Sequence, residues 1–487
     1  MMVNKKLLFI YPASNRATRK IEEKNQKISG FKYPIELSFA YLDAYLKEKI
    51  PSIETSYLDF RVEDPTKIAQ KLLEIKSEFD FTHVAITCYS RHFLQIKELA
   101  KWVKEIDSQI STIVGGVHPT INPSEFQDND VFIDYIIQGE GEIPLYQVMM
   151  EDGAPKTKKV LCHDRPIDIN KFPLINLELY NNYKKKLDFK KLYIYFSRGC
   201  INECIFCAGR KESCNMKAYR FLDPERAFEQ LRIFEEYQPN WLIIQDPIFG
   251  VNEKWLIKIA ERIGKRKLDY RISAEIHADL ASKERLDAIT NNKMDLTIGF
   301  ESASPTMLKI MNKTKDPISY VKNMERILDH FKDKDQVLNM NTIVMHPGET
   351  RETLDQTFDF FKKNTDIFHH ALVKINLFRL FPGSPLYNSI DTFEREYGTK
   401  VYCKDWWLHD IDHFTTPSLV DPSKDLDFLG GIEHVYHRVK DLVMNGVTKS
   451  KNVPDQFKLG AIRFLKNVEK SYEHLVEYKK KFTQNIP

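Results

Sequence analysis

Residues 197–210 read SRGCINECIFCAGR, which places cysteines at 200, 204 and 207 in a C-x3-C-x2-C spacing directly after a strand-like run. Three thiolates on one loop can cap three irons of a cubane cluster, because the loop curls over one face and Gly199 lets it turn. The fourth iron then has no protein ligand, which suits a cluster that binds a substrate or cofactor. Structural zinc is the competing metal reading. It asks for four closed ligands, commonly from paired C-x2–4-C units, and Cys214 is the candidate fourth thiol although no second pair exists. Chance burial of three cysteines is the third reading. The chain has seven cysteines in 487 residues, clustered as they are, and this points to metal binding before disulfides.

Outward from the loop, strands and helices alternate. Strand patterns fit 191–197, 240–246, 270–276, 295–301, 339–345 and 372–378, and helical patterns fit 224–236, 253–265, 283–290, 304–312, 318–332 and 350–362. Six β/α units predict a barrel, or an incomplete one with a wide mouth. Periodicity alone does not separate this from an open sheet.

The cysteine loop, with Phe206 in the aromatic slot, resembles the radical S-adenosylmethionine (SAM) superfamily signature. Later stretches extend the likeness: YRFLDPERAFEQL (219–231), QDPIFGVN (245–252), GFESASPTMLKIMNK (299–313), HPGET (346–350) and FPGSPLY (381–387). One of two usual adjacent acids is replaced by Gln245. The resemblance implies that Cys200, Cys204 and Cys207 hold a 4Fe–4S cluster and that SAM chelates its open iron. One-electron reduction then yields a 5′-deoxyadenosyl radical that abstracts hydrogen. It also implies cofactor contacts at Phe206, Glu301 and Ser302. Taken singly, Glu301 also fits a solvated carboxylate, and Pro347-Gly348 and Pro382-Gly383 fit plain turns.

Residues 1–150 alternate in the same way, with strand patterns at 6–12, 53–60, 81–90, 111–116 and 134–139. Helices fit 66–79, 92–106 and 142–150, and Pro34 is expected to open another. This predicts a doubly wound parallel sheet, whose ligand rim lies beyond the strand carboxyl ends at 12–15, 87–90, 115–118 and 139–142. YPIELSFAYLDAYLKE (33–48), VGGVHPTINPSEF (114–126) and IIQGEGEIPLY (136–146) are similar to the domain that precedes the barrel in the cobalamin-binding (B12) branch of the superfamily. The resemblance implies cobalamin contacts at Ser90, Gly115, Gly116, Gly139 and Glu140. Many B12 domains carry Asp-x-His-x-x-Gly after the first strand, the histidine ligating cobalt; here that position reads ASNRAT (13–18). The expectation is cobalamin without a histidine lower ligand, or a domain that has lost cobalamin. His118 follows the fourth strand and reads as structural.

The expected organisation is therefore α/β: a Rossmann-like cobalamin-binding-type domain at 1–150, a linker at 151–190, a full or partial radical SAM barrel at 191–390, and a helical region at 391–487. In the last, WWLHDIDHF (406–414) offers His409, Asp410, Asp412 and His413, a weak metal spacing that better fits a packed aromatic edge with polar residues outward. Lying across the barrel mouth, it would touch substrate. Only Cys88 falls in 1–150 and only Cys403 after the barrel, so one cluster is expected.

Composition narrows the partners. With 72 basic and 69 acidic residues the net charge is +3, which offers no broad footprint for nucleic acid. No apolar stretch is long enough to span a membrane. The run LLFIYP near the N-terminus is short for a secretory signal and reads as a strand, so a cytoplasmic protein is expected. The resemblance implies an electron donor such as flavodoxin or ferredoxin and a small-molecule or natural-product substrate. Methyl transfer to an unactivated carbon or phosphorus is the first functional expectation. Radical cyclisation, rearrangement or oxidation is the second, and a cluster- or cobalamin-dependent sensor the third.

Overall fold

The computed structural model describes residues 5–29, 32–127, 132–151, 153–163, 165–209, 218–266, 268–365, 371–449 and 455–484. Cys214, the candidate fourth thiol, lies outside the described residues. The chain forms two compact units. One comprises Met1–Ile201, Gly209–Ile243 and Asp405–His413; the other comprises Asn202–Ala208, Ile244–Lys404 and Phe414–Pro487.

In the first unit β1 (Lys6–Tyr11), β2 (Glu54–Asp59), β3 (His83–Thr87), β4 (Ser111–Gly115), β5 (Tyr135–Gln138) and β6 (Lys159–Cys162) form a sheet in the order β2-β1-β3-β4-β5-β6, with every pair parallel. A parallel sheet is covered on both faces, so its strands read as unbroken apolar runs; Leu7, Leu8, Phe9 and Ile10 are all 0% exposed. The order reverses between β1 and β3, and that switch point opens a crevice at their carboxyl ends.

Three expectations need correction here. The helix assigned to Pro34 starts at Leu37, because the Glu36 carboxylate caps it by accepting from the Ser38 N–H at 3.3 Å. A helix at Arg16–Ser29 follows β1 where only a loop was expected. The stretch 151–190 is not a free linker: β6 pairs with β5, and Ile169, Phe172, Ile175, Leu177 and Tyr180 are buried. A four-residue strand and short 3₁₀ turns carry too little period to be read from sequence.

The second alternation gives β7 (Lys191–Ile194), the short antiparallel ribbon β8 (Ser197–Arg198) and β9 (Arg220–Phe221), then β10 (Trp241–Ile244), β11 (Arg271–Ile276), β12 (Met294–Glu301), β13 (Leu338–Val344) and β14 (Ala371–Leu377). The sheet order is β7-β10-β11-β12-β13-β14. Each strand adds beside its predecessor, as in a β/α barrel, but β7 and β14 stand at opposite ends, so the barrel is incomplete. Beyond it, the helix Phe428–Asp441 rests on the helix Arg351–Lys363 through Arg438–Asp355 (3.3 Å) and Lys362–Asp441 (3.0 Å). Among the described residues no helix is long and apolar enough to cross a membrane.

The segment Asp405–His413 belongs to the first unit. Trp406 and Trp407 are buried as expected, but so are Asp412 and His413, each 4% exposed. The polar residues turn inward because the loop after β1 receives them. The Asn15 amide donates to the Ile411 carbonyl at 2.8 Å and lies 3.1 Å from His413 Nε2, while the His413 N–H donates to Thr18 Oγ1 at 3.0 Å. Asn15 Oδ1 meanwhile accepts from the Thr18 N–H at 2.8 Å, capping the helix Arg16–Ser29. Replacing Asn15 by Ala removes this cap and the amide's bond to the part-buried Ile411 carbonyl, which retains the Thr18 hydroxyl at 3.4 Å, for an expected loss of about 1–2 kcal/mol. Denaturant unfolding checks the loss, and hydrogen exchange should show the amides of 405–413 exchanging faster.

Candidate cluster and cofactor site

The cysteine loop leaves β8 through Gly199, whose φ of +83° lies in the region that glycine alone enters freely. Cys200 is half-buried, Cys204 is 8% exposed and Cys207 is exposed, and all three lie outside any disulfide. The Cys207 N–H donates to the Cys204 carbonyl at 3.3 Å, closing a tight turn between them. Among the described residues no three His, Cys, Asp or Glu side chains converge as ligands of one metal ion would. A cubane does not require convergence, since each thiolate takes its own iron. Three soft donors on one short loop, none in a disulfide, fit such a cluster.

The loop is fixed by its backbone. The Ile205 N–H donates to the Met311 carbonyl at 3.0 Å, and the Leu386 N–H donates to the Ile205 carbonyl at 2.9 Å. Asn312 Nδ2 adds a bond to the Glu203 carbonyl at 2.9 Å. Two segments quoted from sequence, GFESASPTMLKIMNK and FPGSPLY, thus grip the loop from either side. Phe206 packs with Phe378, Leu380, Leu386 and Phe393 and meets the His346 ring at 6.1 Å, so its ring anchors the loop from below.

Glu301 ends β12 in a left-handed conformation (φ +65°) beside a register shift opposite β13. The bulge re-aims a strand-end side chain, and the Glu301 carboxylate meets Lys313 Nζ at 3.1 Å. Ser302 is fully buried, its hydroxyl 2.9 Å from Thr357 Oγ1 and accepting from the Ser304 N–H at 3.0 Å. The Ser302 hydroxyl, where a cofactor contact is expected, shapes the turn into the helix Pro305–Ile310.

The HPGET turn holds a buried pair that sequence reading missed. The Glu349 carboxylate accepts from the Met345 N–H at 2.5 Å and the His346 N–H at 3.3 Å, fastening a turn in which Met345 has φ +66°. Burial pushes the Glu349 carboxyl up to about 8, against the pull of those two donors. Its folded pKa thus exceeds the unfolded value near 4.5, so the folded state holds a proton that the unfolded state loses. That contribution is complete below pH 4.5 and is lost as pH rises through about 8. The stability of Glu349→Gln relative to wild type should therefore increase from pH 5 to pH 8, as read by urea unfolding at both.

In the first unit the rim residues separate into two sets. Glu140 is bidentate to Arg220 at 2.6 and 3.0 Å and lies 3.5 Å from Arg198, whose guanidinium also meets Glu142 at 2.6 Å. Burial raises the Glu140 pKa, but the Arg220 bonds and both guanidinium charges outweigh it and hold the carboxyl below its usual value. The GEGE acids fasten β8 and β9, the strands flanking the cysteine loop, so the Glu140 carboxylate meets two arginines at the position where a cofactor contact is expected. The signal was Arg198 directly before Gly199-Cys200. Glu142→Gln should cost about 2 kcal/mol, less than a fully buried pair because Glu140 remains. A lower urea midpoint at unchanged slope would show it.

The second set lines the switch point. Ser90 Oγ lies 2.9 Å from His118 Nδ1, and His118 Nε2 lies 2.9 Å from Glu125, which also accepts from Trp407 Nε1 at 3.1 Å. His118 is 0% exposed with both nitrogens engaged, so it is structural as expected. A Cβ at Gly116 (φ +106°) would stand 3.1 Å from the Cys88 backbone N and O. That glycine serves the close approach of the β3 and β4 ends at the rim. Gly115 has only an ordinary contact with Ile137, and the Gly139 N–H (φ +74°) donates to Thr120 Oγ1 at 2.9 Å. Cys88 is fully buried, and burial pushes its thiol pKa well up, so it is inert. With His118 committed and Asn15 bonded to Ile411, the rim fits a cobalamin held without an imidazole from either position.

A switch-point sheet followed by an incomplete β/α barrel with a three-thiol loop after its first strand defines a two-domain radical enzyme fold. Residues 194–361 match the radical SAM superfamily model and residues 32–149 match the B12 binding domain model. The chain belongs to the radical SAM superfamily, in the branch that carries a B12-binding domain, and a 4Fe–4S cluster, SAM and cobalamin are the cofactors these domains imply. It is similar to an uncharacterized methyltransferase of Pyrococcus horikoshii, at 26% identity over 74% of this chain and 78% of that protein. It is also similar to the anaerobic magnesium-protoporphyrin IX monomethyl ester cyclase of Rubrivivax gelatinosus, at 23% identity over 79% and 70%. Among solved structures, the cobalamin-dependent S-adenosylmethionine radical enzyme OxsB matches with a TM-score of 0.66 at 15% identity, over 97% of this chain and 72% of that one.

Proposed function

We propose that the chain is a cobalamin-dependent radical SAM methyltransferase that methylates an unactivated carbon, or a phosphorus, of a small metabolite or natural-product precursor. The observation that carries this reading is the presence of two built sites on one chain: a three-thiol loop clasped by two barrel segments, and a sheet rim at which Asn15 and His118 are committed to protein hydrogen bonds. When bound, SAM with the reduced cluster supplies a hydrogen-abstracting radical and cobalamin a transferable methyl group. In this reading Cys200, Cys204 and Cys207 hold three irons, and Glu301 meets SAM. Phe206 keeps the loop seated, and Ser90, Gly115, Gly116, Gly139 and Glu140 shape the cobalamin rim. The reading includes a cytoplasmic location and a flavodoxin- or ferredoxin-like donor that supplies the electron the cluster needs.

Cyclisation or oxidation without methyl transfer is the second reading, supported by the similarity to the Rubrivivax gelatinosus cyclase. SAM carrying a deuterated methyl group separates the two. With anaerobically reconstituted protein and candidate substrates, label is expected in the product and 5′-deoxyadenosine in the medium. An altered product without label would establish the second reading. Cys204→Ala should abolish the cluster absorbance and 5′-deoxyadenosine formation together.

A further inference from the structure

The Glu301–Lys313 pair is built more elaborately than a strand-end contact requires. Lys313 and Glu301 side chains are only 8% and 9% exposed. A Cβ at Gly299 would stand 2.7 Å from Glu301 Oε1 and 2.9 Å from Lys313 Nζ, so this glycine keeps open the space the pair fills. Tyr320 Oη donates to the Gly299 carbonyl at 2.6 Å, fixing the bulge, and His277 Nε2 lies 3.0 Å from the Lys313 carbonyl. His277 is kept neutral: burial and the Lys313 charge lower its pKa to about 3. The Lys313 ammonium thus faces the carboxylate of Glu301 and, further off, that of Glu275, on which Lys374 also acts.

Burial works against the Lys313 charge, but the Glu301 carboxylate, then Tyr320 and Cys204, hold its pKa well above the usual lysine value. Cys204 is therefore within electrostatic reach of Lys313. The same segment grips the loop through Met311 and Asn312, on the two residues preceding Lys313. A lysine buried at this cost in desolvation, two residues from the clasp, sets a fixed charge beside whatever the thiols hold.

We propose that Lys313 is a positioning residue of the cluster site, which orients Glu301 and holds a positive charge that favours the reduced, more negative cluster. This rests on the cluster reading of the three cysteines. The sign follows from electrostatics. Removing the ammonium leaves the Glu301 carboxylate uncompensated and disfavours the added electron, whereas neutralising Glu301 leaves the ammonium uncompensated and favours it.

The test uses the full chain, reconstituted anaerobically with ferrous iron and sulfide and without SAM, in a redox titration at pH 8 read by electron paramagnetic resonance. Lys313→Met should retain iron yet show a reduced-to-oxidised ratio about tenfold lower at a given potential, equivalent to about 59 mV for one electron. Lys313→Arg should restore it, and Glu301→Gln should move the ratio the opposite way. Wild-type ratios in both Lys313→Met and Glu301→Gln, or a shift of the same sign in both, would overturn the proposal. Should Lys313→Met take up no iron, Glu301→Gln against wild type decides alone: a higher ratio supports the proposal and an unchanged or lower one overturns it. A wild-type protein that binds no cluster would instead refute the cluster reading itself.

Discussion

A loop that commits three side chains to an inorganic ligand has none of them left to hold itself in place. Its geometry must come from backbone bonds, and here they concentrate on Ile205, the residue between Cys204 and Phe206. Its N–H is bonded to Met311 and its carbonyl to Leu386, so strand-end segments after β12 and β14 fix the loop on either side. Much of the second unit serves this constraint. The helix Pro305–Ile310 ends where its carbonyl at Met311 must point, and the core around Phe378 and Leu386 receives the Phe206 ring.

The same logic explains why acids in the first unit turn out to be structural. Glu140 and Glu142 look like ligand residues on a rim, yet Arg198 and Arg220 claim them. Charged groups this enclosed persist when paired, and the arginines available were those on the two short strands bracketing the cysteines. A sheet loop is thereby spent on stiffening the ribbon from which the thiol loop departs.

This also shows what sequence could carry. All strands of the two sheets except β6 were legible because buried parallel strands are short apolar runs between glycines and helical periods, and all six barrel strands end within three residues of the expected position. The cysteine loop was legible from spacing as a metal-binding candidate, and as a cluster loop only through the resemblance. The roles of Ser302, Gly116 and Glu140 were not, since each is decided by a partner far away in the chain: Thr357, Cys88 and Arg220. Lys313 lay inside a quoted motif, but nothing in its neighbours announces that its ammonium folds back twelve positions to Glu301.

The missing histidine is the most informative of these cases. Read in sequence, ASNRAT is a ligand motif with its ligand gone. In the structure Asn15 holds the place with work of its own: its oxygen caps a helix and its amide takes the Ile411 carbonyl from a segment nearly four hundred residues on. An imidazole there could not make both bonds in the same geometry, because it has no second group at the amide's position. A cobalt-ligating histidine at this position and docking of Asp405–His413 through the Asn15 amide are thus alternatives. Asn15 is an internal brace, so any cobalamin the rim carries must be held by shape and backbone rather than by a bond from this position.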